Sequence, residues 1–259
     1  MSLPENLNQF DNLVAIIAKL RAPDGCPWDK EQTHQSLREN LLSETYEVLS
    51  ALDGVDKDKL CEELGDLLLQ IVLHAQIAKD DHEFEIGDVI KRINEKLIHR
   101  HPHIFGKTKV KDAKEVMHNW EALKKEERQE GASILEGVPP EMPALAYAHE
   151  ISKRTVRVGF EWENIEGVLD KLAEEVKEIK DADSQAEKED EFGDLLFTLV
   201  NVARWEGIDA ETALRQANRK FFKRFSYMEK LCHQRKIDFT KLSFKEKDDL
   251  WEEAKKGVD

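Results

Sequence analysis

The stretch EDEFGDLLFTLVNVA, residues 189–203, decides the fold. Apolar residues recur in it at the spacing of an α-helix and cover most of the helix surface: Phe192, Leu195, Leu196, Leu199 and Val200. The remaining positions form one polar line with spacings of three, four and three: Glu191, Asp194, Thr198 and Asn201. Because a polar line on an otherwise apolar helix needs a partner, the pattern predicts a buried helix that carries a functional surface.

The same pattern occurs earlier in the chain, as CEELGDLLLQIVLHA at residues 61–75. Three further segments are also echoed in the same order: GCPWD by GFEWE, SETYEVLSAL by AEEVKEIKDA, and NEKLIHR by NRKFFKR. Four ordered echoes indicate a tandem duplication. We therefore predict an N-terminal domain at 1–124, a linker rich in Gly and Pro at 125–143, and a C-terminal domain at 144–259.

Composition restricts the class of protein. With 259 residues, 36% charged and only 12 Gly and 7 Pro, the chain is expected to be ordered and mostly helical. Its net charge of −15 opposes binding to DNA or RNA. Three cysteines without a C-x-x-C pair fit a reducing cytoplasm. The N-terminus lacks the features of a signal peptide, and the apolar runs are too short to span a membrane.

Paired carboxylates on adjacent helices are the strongest chemical signal. Glu175 and Glu178 are three residues apart on one helix, as Glu191 and Asp194 are on the next. If the two helices pack antiparallel, these groups converge, and two like charges about 4 Å apart repel by about 4 kcal/mol at an effective dielectric of 20. A hard cation relieves that repulsion, and Mg²⁺ fits better than Ca²⁺ because the chain has no EF-hand loop. Mg²⁺ in turn favours a phosphate-bearing substrate.

The first copy repeats this set of four carboxylates, which marks a second candidate metal site: Glu44, Glu47, Glu63 and Asp66. An isolated pair of this kind is usually a solvated helix face. Two pairs on neighbouring helices, repeated in both copies, favour metal binding instead.

These residues resemble a known family. The motif E-x-x-E followed after a short loop by E-x-x-D, together with GCPWDKEQTH, ELGDLLLQIVLHAQIA, KLIHRHPHIFG and FGDLLFTLVNVAR, is similar to the tandem-domain MazG proteins over nearly the whole chain. The resemblance implies two all-α bundles completed by homodimerisation. It also implies cleavage between the α- and β-phosphates of nucleoside triphosphates to a monophosphate and pyrophosphate, with Mg²⁺ or its substitute Mn²⁺.

The resemblance also implies which groups act in the reaction. Glu175, Glu178, Glu191 and Asp194 would be the metal ligands of the C-terminal domain, which is the catalytic one in this family. The first copy departs from the E-E-x-x-E pattern, since Ser43 replaces the leading Glu. This departure favours the same asymmetry here.

Several other polar groups are candidates for roles in the site. Glu174, Glu175 or Glu178 could act at the reacting water, with Glu174 or Glu175 as the proton acceptor. Lys220 and Arg224 are one helical turn apart and could bind phosphates. Trp251 could stack on a base or cap the core, Asn201 could contact substrate, and Trp28 and Trp162 are interpreted as structural.

Alternative functions remain open at this point. A Nudix hydrolase, an HD-domain hydrolase and a P-loop enzyme are disfavoured by their missing motifs. Zinc binding by His101 and His103 lacks a third ligand at suitable spacing. A nucleotide sensor or dimerisation scaffold without catalysis is the main alternative, and a narrow specificity for one deoxynucleotide is another.

Overall fold

The computed structural model describes residues 6–54, 56–126 and 131–258. All regular secondary structure in these residues is helical, which confirms the all-α fold predicted from the sequence. The chain divides into two compact units, Met1–Arg128 and Gln129–Asp259. Across these ranges, no helix has the length and apolar character needed to cross a bilayer.

The first unit contains seven helices within its described residues: α1 (Phe10–Arg21), α2 (Pro27–Glu31), α3 (Arg38–Gly54), α4 (Lys57–Asp80), α5 (Ile86–Arg100), α6 (Pro102–Phe105) and α7 (Ala113–Glu126). Helices α3 and α4 form a hairpin, and α1 packs on α4. Asp56 caps α4 by accepting hydrogen bonds from the backbone of Asp58 and Lys59. The core of the unit joins these elements through buried apolar residues: Ile17, Leu37, Val72, Leu73 and Ile77.

The second unit has helices α8 (Ala144–Val156), α9 (Ile165–Asp181), α10 (Gln185–Trp205), α11 (Ala210–Arg235) and α12 (Phe244–Val258), with a 3₁₀ turn at Phe239–Lys241. The connection between α9 and α10 is only three residues long, and Ser184 and Glu187 form a capping box that starts α10. The two helices therefore pack antiparallel. A second core lies between α11 and α12: Met228, Leu231, Cys232, Leu250 and Ala254.

The order of helices repeats between the units. The hairpin α3–α4 corresponds to the hairpin α9–α10. A preceding helix packs on the second helix of each hairpin, α1 on α4 and α8 on α10, and a long amphipathic helix follows each hairpin. This order agrees with the duplication seen in the sequence.

The described part of the predicted linker packs on the second unit. Arg154 of α8 donates hydrogen bonds to the carbonyls of Ile134 at 3.2 Å and Glu136 at 2.7 Å, and Val138 is buried. Helix α7 extends to Glu126, and residues 127–130 of the predicted linker lie outside the described residues. The domain boundaries at 124 and 144 remain predictions.

Candidate functional site

The antiparallel hairpin α9–α10 brings carboxylates of both helices together. Glu175 and Glu178 of α9 and Glu191 of α10 each place one oxygen within 4.8 Å of the others, and we call these three the second acidic cluster. The spacing of three residues places Glu175 and Glu178 on one face of α9. Glu175 belongs to the apolar stripe of that helix, and its side chain is only 3% exposed.

Asp194 lies one turn after Glu191 on α10 and is outside this group of three. Its charge still acts on the cluster. The pKa of Glu191 is raised by burial and then by the charges of Glu178, Glu175 and Asp194. The charges of the three neighbouring carboxylates therefore oppose ionisation of Glu191.

The first copy contains an equivalent group, which we call the first acidic cluster: Glu44, Glu63 and Asp66. Burial raises the pKa of Glu44, and the charges of Asp66, Glu47 and Glu63 add to the rise. Here Glu47 is the carboxylate outside the group of three. Ser43 is close to it, with its hydroxyl 3.5 Å from a carboxylate oxygen of Glu47.

Each acidic cluster has a lysine beside it, but the lysines come from different helices. The Nζ atom of Lys171 in α9 lies 2.8 Å from Glu174 and 2.8 Å from Glu175. In the first copy, Lys59 of α4 pairs with Glu63 and lies 3.3 Å from Glu62. The hydrogen bonds that Lys171 donates to Glu174 and then to Glu175 raise the pKa of Lys171, so its ammonium stays charged at the cluster.

The donor set of the second acidic cluster fits a hard divalent cation. Lys171 neutralises one oxygen of Glu175, whereas the other oxygen, Oε2, is buried and has no hydrogen-bond partner in the described part of the protein. A buried carboxylate oxygen without a donor is costly. An all-oxygen group of this kind suits Mg²⁺ or Mn²⁺.

The basic residues predicted to bind phosphate lie on the α11–α12 side of the second unit. Lys220 lines a pocket of about 180 Å³ together with Arg219 and Lys223. The Arg224 guanidinium lies 5.7 Å from the ring centroid of Trp251. The helical spacing from Lys220 to Arg224 thus places cations along one side of α11.

Two other candidates are engaged in local packing. The ring of Trp251 lies 5.2 Å from that of Phe221, in addition to its contact with Arg224. Asn201 is 2% exposed. Its amide donates to the carbonyl of Phe197 at 3.1 Å, and its side-chain oxygen accepts from Arg204 at 3.4 Å.

A network of hydrogen bonds that the sequence did not predict holds the GFEWE loop, residues 159–163, against the end of α10. Both oxygens of Glu161 are bonded to Arg204, at 2.6 Å and 2.8 Å, and Trp205 donates to the same carboxylate at 3.0 Å. Burial raises the pKa of Glu161, but the hydrogen bonds from Arg204, the Trp162 backbone and Trp205, together with the charge of Arg204, outweigh burial and leave that pKa below its usual range. The echo of GCPWD indicated the loop, but no local pattern linked it to an arginine 43 residues away.

This loop forms one wall of a cavity of about 390 Å³, which we call the Trp162 cavity, lined by Gly159, Phe160, Glu161, Trp162 and Lys171. Lys171 belongs to both the cavity and the surroundings of the second acidic cluster. The cavity and the second acidic cluster therefore share Lys171 as a neighbour.

Comparison with known proteins shows what the chain is similar to. A model of the MazG nucleotide pyrophosphohydrolase domain matches it twice, at residues 32–105 and 163–228, once in each unit. The chain is 45% identical over 249 residues to the nucleoside triphosphate pyrophosphohydrolase/pyrophosphatase MazG of Thermotoga maritima, covering 96% of both chains. It is 42% identical over 258 residues to the nucleoside triphosphate pyrophosphohydrolase of Escherichia coli K12, covering 96% of this chain and 98% of that one.

A solved structure is also similar in sequence. The crystal structure of a mazG-related protein from Thermotoga maritima is 33% identical and covers 44% of this chain and 98% of its own, with a TM-score of 0.39.

Proposed function

The chain belongs to the MazG family of nucleotide pyrophosphohydrolases, and from this premise we propose that it is a Mg²⁺-dependent nucleoside triphosphate pyrophosphohydrolase. It cleaves the bond between the α- and β-phosphates and releases a nucleoside monophosphate and pyrophosphate. The observation that carries the proposal is the second acidic cluster, in which Glu175, Glu178 and Glu191 converge and one buried oxygen of Glu175 has no donor in the described residues.

In the proposed site, Glu175, Glu178, Glu191 and Asp194 would hold the cation. When bound, Mg²⁺ would neutralise phosphate charge and make the reacting water more acidic. Glu175 is held in place by Lys171 and by its burial in the α9–α10 hairpin, so its ligand oxygen is fixed before substrate arrives. Such positioning supplies much of the acceleration in phosphoryl chemistry.

We assign the proton acceptor to Glu174. It is the carboxylate next to the second acidic cluster that remains mostly exposed, so it can meet a water at the edge of the site. The first copy has Ser43 at the matching position, whose hydroxyl approaches Glu47 instead. This difference supports the second unit as the catalytic one.

Lys220 and Arg224 are proposed to bind the β- and γ-phosphates, since they present cations from one side of α11. The ring of Trp251 contacts Arg224, and the side-chain oxygen of Asn201 accepts a hydrogen bond from Arg204. We therefore propose that Trp251 and Asn201 hold these two arginines in position.

A homodimer is proposed because the long helix α11 exposes large apolar side chains, among them Phe221, Phe222 and Leu214. Exposed apolar surface of this kind marks an interface. The substitution Phe222→Asp places a charge in this apolar surface and is expected to convert the dimer to a monomer, which light scattering would measure. A monomeric wild-type protein would contradict the proposal.

The central test compares matched variants of the two copies. The full chain is incubated with a nucleoside triphosphate and Mg²⁺, and pyrophosphate and orthophosphate are measured separately. We expect the double variant with Glu178→Gln and Asp194→Asn to abolish pyrophosphate release, because it removes the charges of two proposed cation ligands. Its circular dichroism should stay unchanged, because both substitutions keep side-chain size and remove repulsion.

The matched control is Glu47→Gln with Asp66→Asn, which should retain turnover. Full activity in the second-copy variant would refute the proposed site. Nucleotide binding without pyrophosphate release by the wild type would identify a sensor rather than an enzyme.

A further inference from the structure

We infer that a cavity between α8 and the turn from α10 to α11 binds a small carboxylate that carries a short hydrocarbon chain. The cavity has a volume of about 350 Å³, and we call it the His149 cavity. Its lining side chains come from α8, from the end of α10 and from the turn: His149, Lys153, Val156, Arg204, Ile208 and Asp209. The inference does not depend on the proposed function, because none of these residues belongs to the second acidic cluster.

The position of the cavity separates it from the carboxylates of the proposed site. Arg204 follows Asp194 by ten residues on α10. Ten residues of an α-helix span about 15 Å. A ligand in the His149 cavity therefore occupies the C-terminal end of α10, away from the proposed metal ligands.

Two side chains of the cavity wall have nitrogen atoms that the protein leaves unsatisfied. Nδ1 of His149 and Nε of Arg204 are buried, and neither has a hydrogen-bond partner in the described ranges. Nε of an arginine is always a donor. Because a buried donor without an acceptor is costly, the wall favours a ligand that brings acceptor oxygens.

Lys153 supplies the cation that a ligand could neutralise. Glu150, the acid one turn before it on α8, is bonded to Arg154 at 3.0 Å. Glu161 is likewise bonded to Arg204, at 2.6 Å. No ion pair involves Lys153 within the described part of the chain. The wall therefore carries one unmatched positive charge, which suits a ligand with a single negative charge.

Asp209 does not oppose such a ligand strongly, because its charge is already compensated. It caps α11 by accepting a hydrogen bond from the backbone of Thr212 at 2.7 Å. Hydrogen bonds from Thr212, helped by the charges of His149 and Arg215, outweigh burial and hold the pKa of Asp209 below its usual range. The carboxylate of Asp209 is therefore occupied by its own neighbours.

The rest of the wall favours a hydrocarbon chain over a bare phosphate. Val156 and Ile208 are the apolar side chains of the lining, and Ile208 is 47% exposed beside the polar groups. Small-molecule sites combine such apolar walls with a few polar groups that fix orientation. A carboxylate with a short chain matches both parts of the wall, whereas inorganic phosphate matches only the cations.

The first copy lacks the matching donor. Gln76 stands at the position of Arg204 in the repeated segment, and its amide donates to Asp80 on the same helix at 2.7 Å. The glutamine is thus satisfied within α4. The unsatisfied arginine belongs to the second unit alone among these two positions, which agrees with a binding site that only one copy carries.

Arg204 also links the cavity to the GFEWE loop. Its two terminal nitrogens are bonded to Glu161 at 2.6 Å and 2.8 Å, whereas its Nε is the atom on the cavity side of the bonding account. A carboxylate that accepts from Nε would hold the guanidinium in the orientation that anchors the loop. Occupancy should therefore raise the Tm of the full chain, since a ligand that binds the folded state stabilises it.

The test measures binding of hexanoate, acetate and inorganic phosphate to the full chain by calorimetry. Hexanoate should bind with one site per chain, and acetate should bind at least about tenfold more weakly, because it lacks the methylenes that contact the apolar wall. Lys153→Gln should weaken hexanoate binding about fivefold. Lys241→Gln is the matched control, because it removes the same charge from a side chain that is 81% exposed and away from the cavity.

A second variant separates the apolar wall from the charged one. Ile208→Ser should weaken hexanoate binding about threefold and leave acetate binding unchanged. Hexanoate should raise the Tm of the wild type more than that of Lys153→Gln. Both substitutions are at exposed positions, so the variants are expected to fold.

Four results would overturn the inference. They are no hexanoate binding by the wild type, tighter binding of phosphate than of hexanoate, equal hexanoate affinity in the wild type and Lys153→Gln, and equal weakening in Lys153→Gln and Lys241→Gln.

Discussion

Replacement of Arg204 by methionine tests whether one ion pair holds the GFEWE loop in place. The side chains of Arg204 and Glu161 are 13% and 20% exposed, so the substitution leaves a mostly buried carboxylate without its cation. Breaking a fully buried pair costs about 3–5 kcal/mol. With partial exposure, we expect the free energy of unfolding of the second unit to fall by about 2–3 kcal/mol, which lowers Tm by about 8–12 °C for a unit of this size.

The pH dependence of the free energy of unfolding provides a second test of the ion pair between Arg204 and Glu161. In the fold, Arg204 keeps the pKa of Glu161 below its ordinary value of 4.5. The pair therefore contributes stability above that pH, and the contribution is lost as pH falls through the folded value. Arg204→Met should remove this acid-side loss, which urea unfolding from pH 3 to pH 7 would measure.

A double-mutant cycle completes the design. In Glu161→Gln, the amide oxygen can still accept the hydrogen bond from Trp205, so this variant should be milder than Arg204→Met. The double variant should be no worse than Arg204→Met alone, which gives a coupling energy of about 1–2 kcal/mol. Additive effects of the two substitutions would refute the claim that the residues act as one anchor.

Further predictions concern two local features. The Nδ1 atoms of His34 and His74 lie 2.7 Å apart, and burial, followed by the charge of His34, lowers the pKa of His74 below its ordinary 6.5. Stability of the first unit should therefore fall below pH 6.5 by up to about 1.4 kcal/mol per pH unit. Urea unfolding should show that His74→Phe flattens this slope while His82→Asn keeps it; an unchanged slope in His74→Phe would contradict the assignment. Gly159 has a φ of +85°, so Gly159→Ala should destabilise by about 1–2 kcal/mol. In contrast, Gly193→Ala within α10 should stabilise the protein by up to about 1 kcal/mol, because an added Cβ there meets open space. Thermal unfolding would compare the two variants, and a higher Tm for Gly159→Ala than for Gly193→Ala would contradict both expectations.

The helical hairpins and the facing carboxylates were predictable because they depend on local spacing. Apolar residues at helical intervals defined α10, and the three-residue spacing of Glu175 and Glu178 placed both on one face of α9. The duplication supplied a second, independent instance of the same pattern, and the family model matches both instances.

The surroundings of the carboxylates were not predictable in the same way. Sequence spacing did not indicate which lysines pair with the carboxylates. Lys171, on the first helix of its hairpin, pairs with the second acidic cluster, whereas Lys59, on the second helix of its hairpin, pairs with the first acidic cluster. The long side chain of a lysine reaches several neighbours, so its partner depends on tertiary packing. The Trp162 cavity depends likewise on the contact between Glu161 and Arg204, which are distant in sequence.

The most direct measurement of the central claim is the fate of oxygen during turnover. The full chain is allowed to hydrolyse a nucleoside triphosphate in H₂¹⁸O with Mg²⁺, and mass spectrometry then locates the label in the products. Attack on the α-phosphorus at the second acidic cluster predicts ¹⁸O in the nucleoside monophosphate and none in pyrophosphate. Label in pyrophosphate or in orthophosphate would contradict the account.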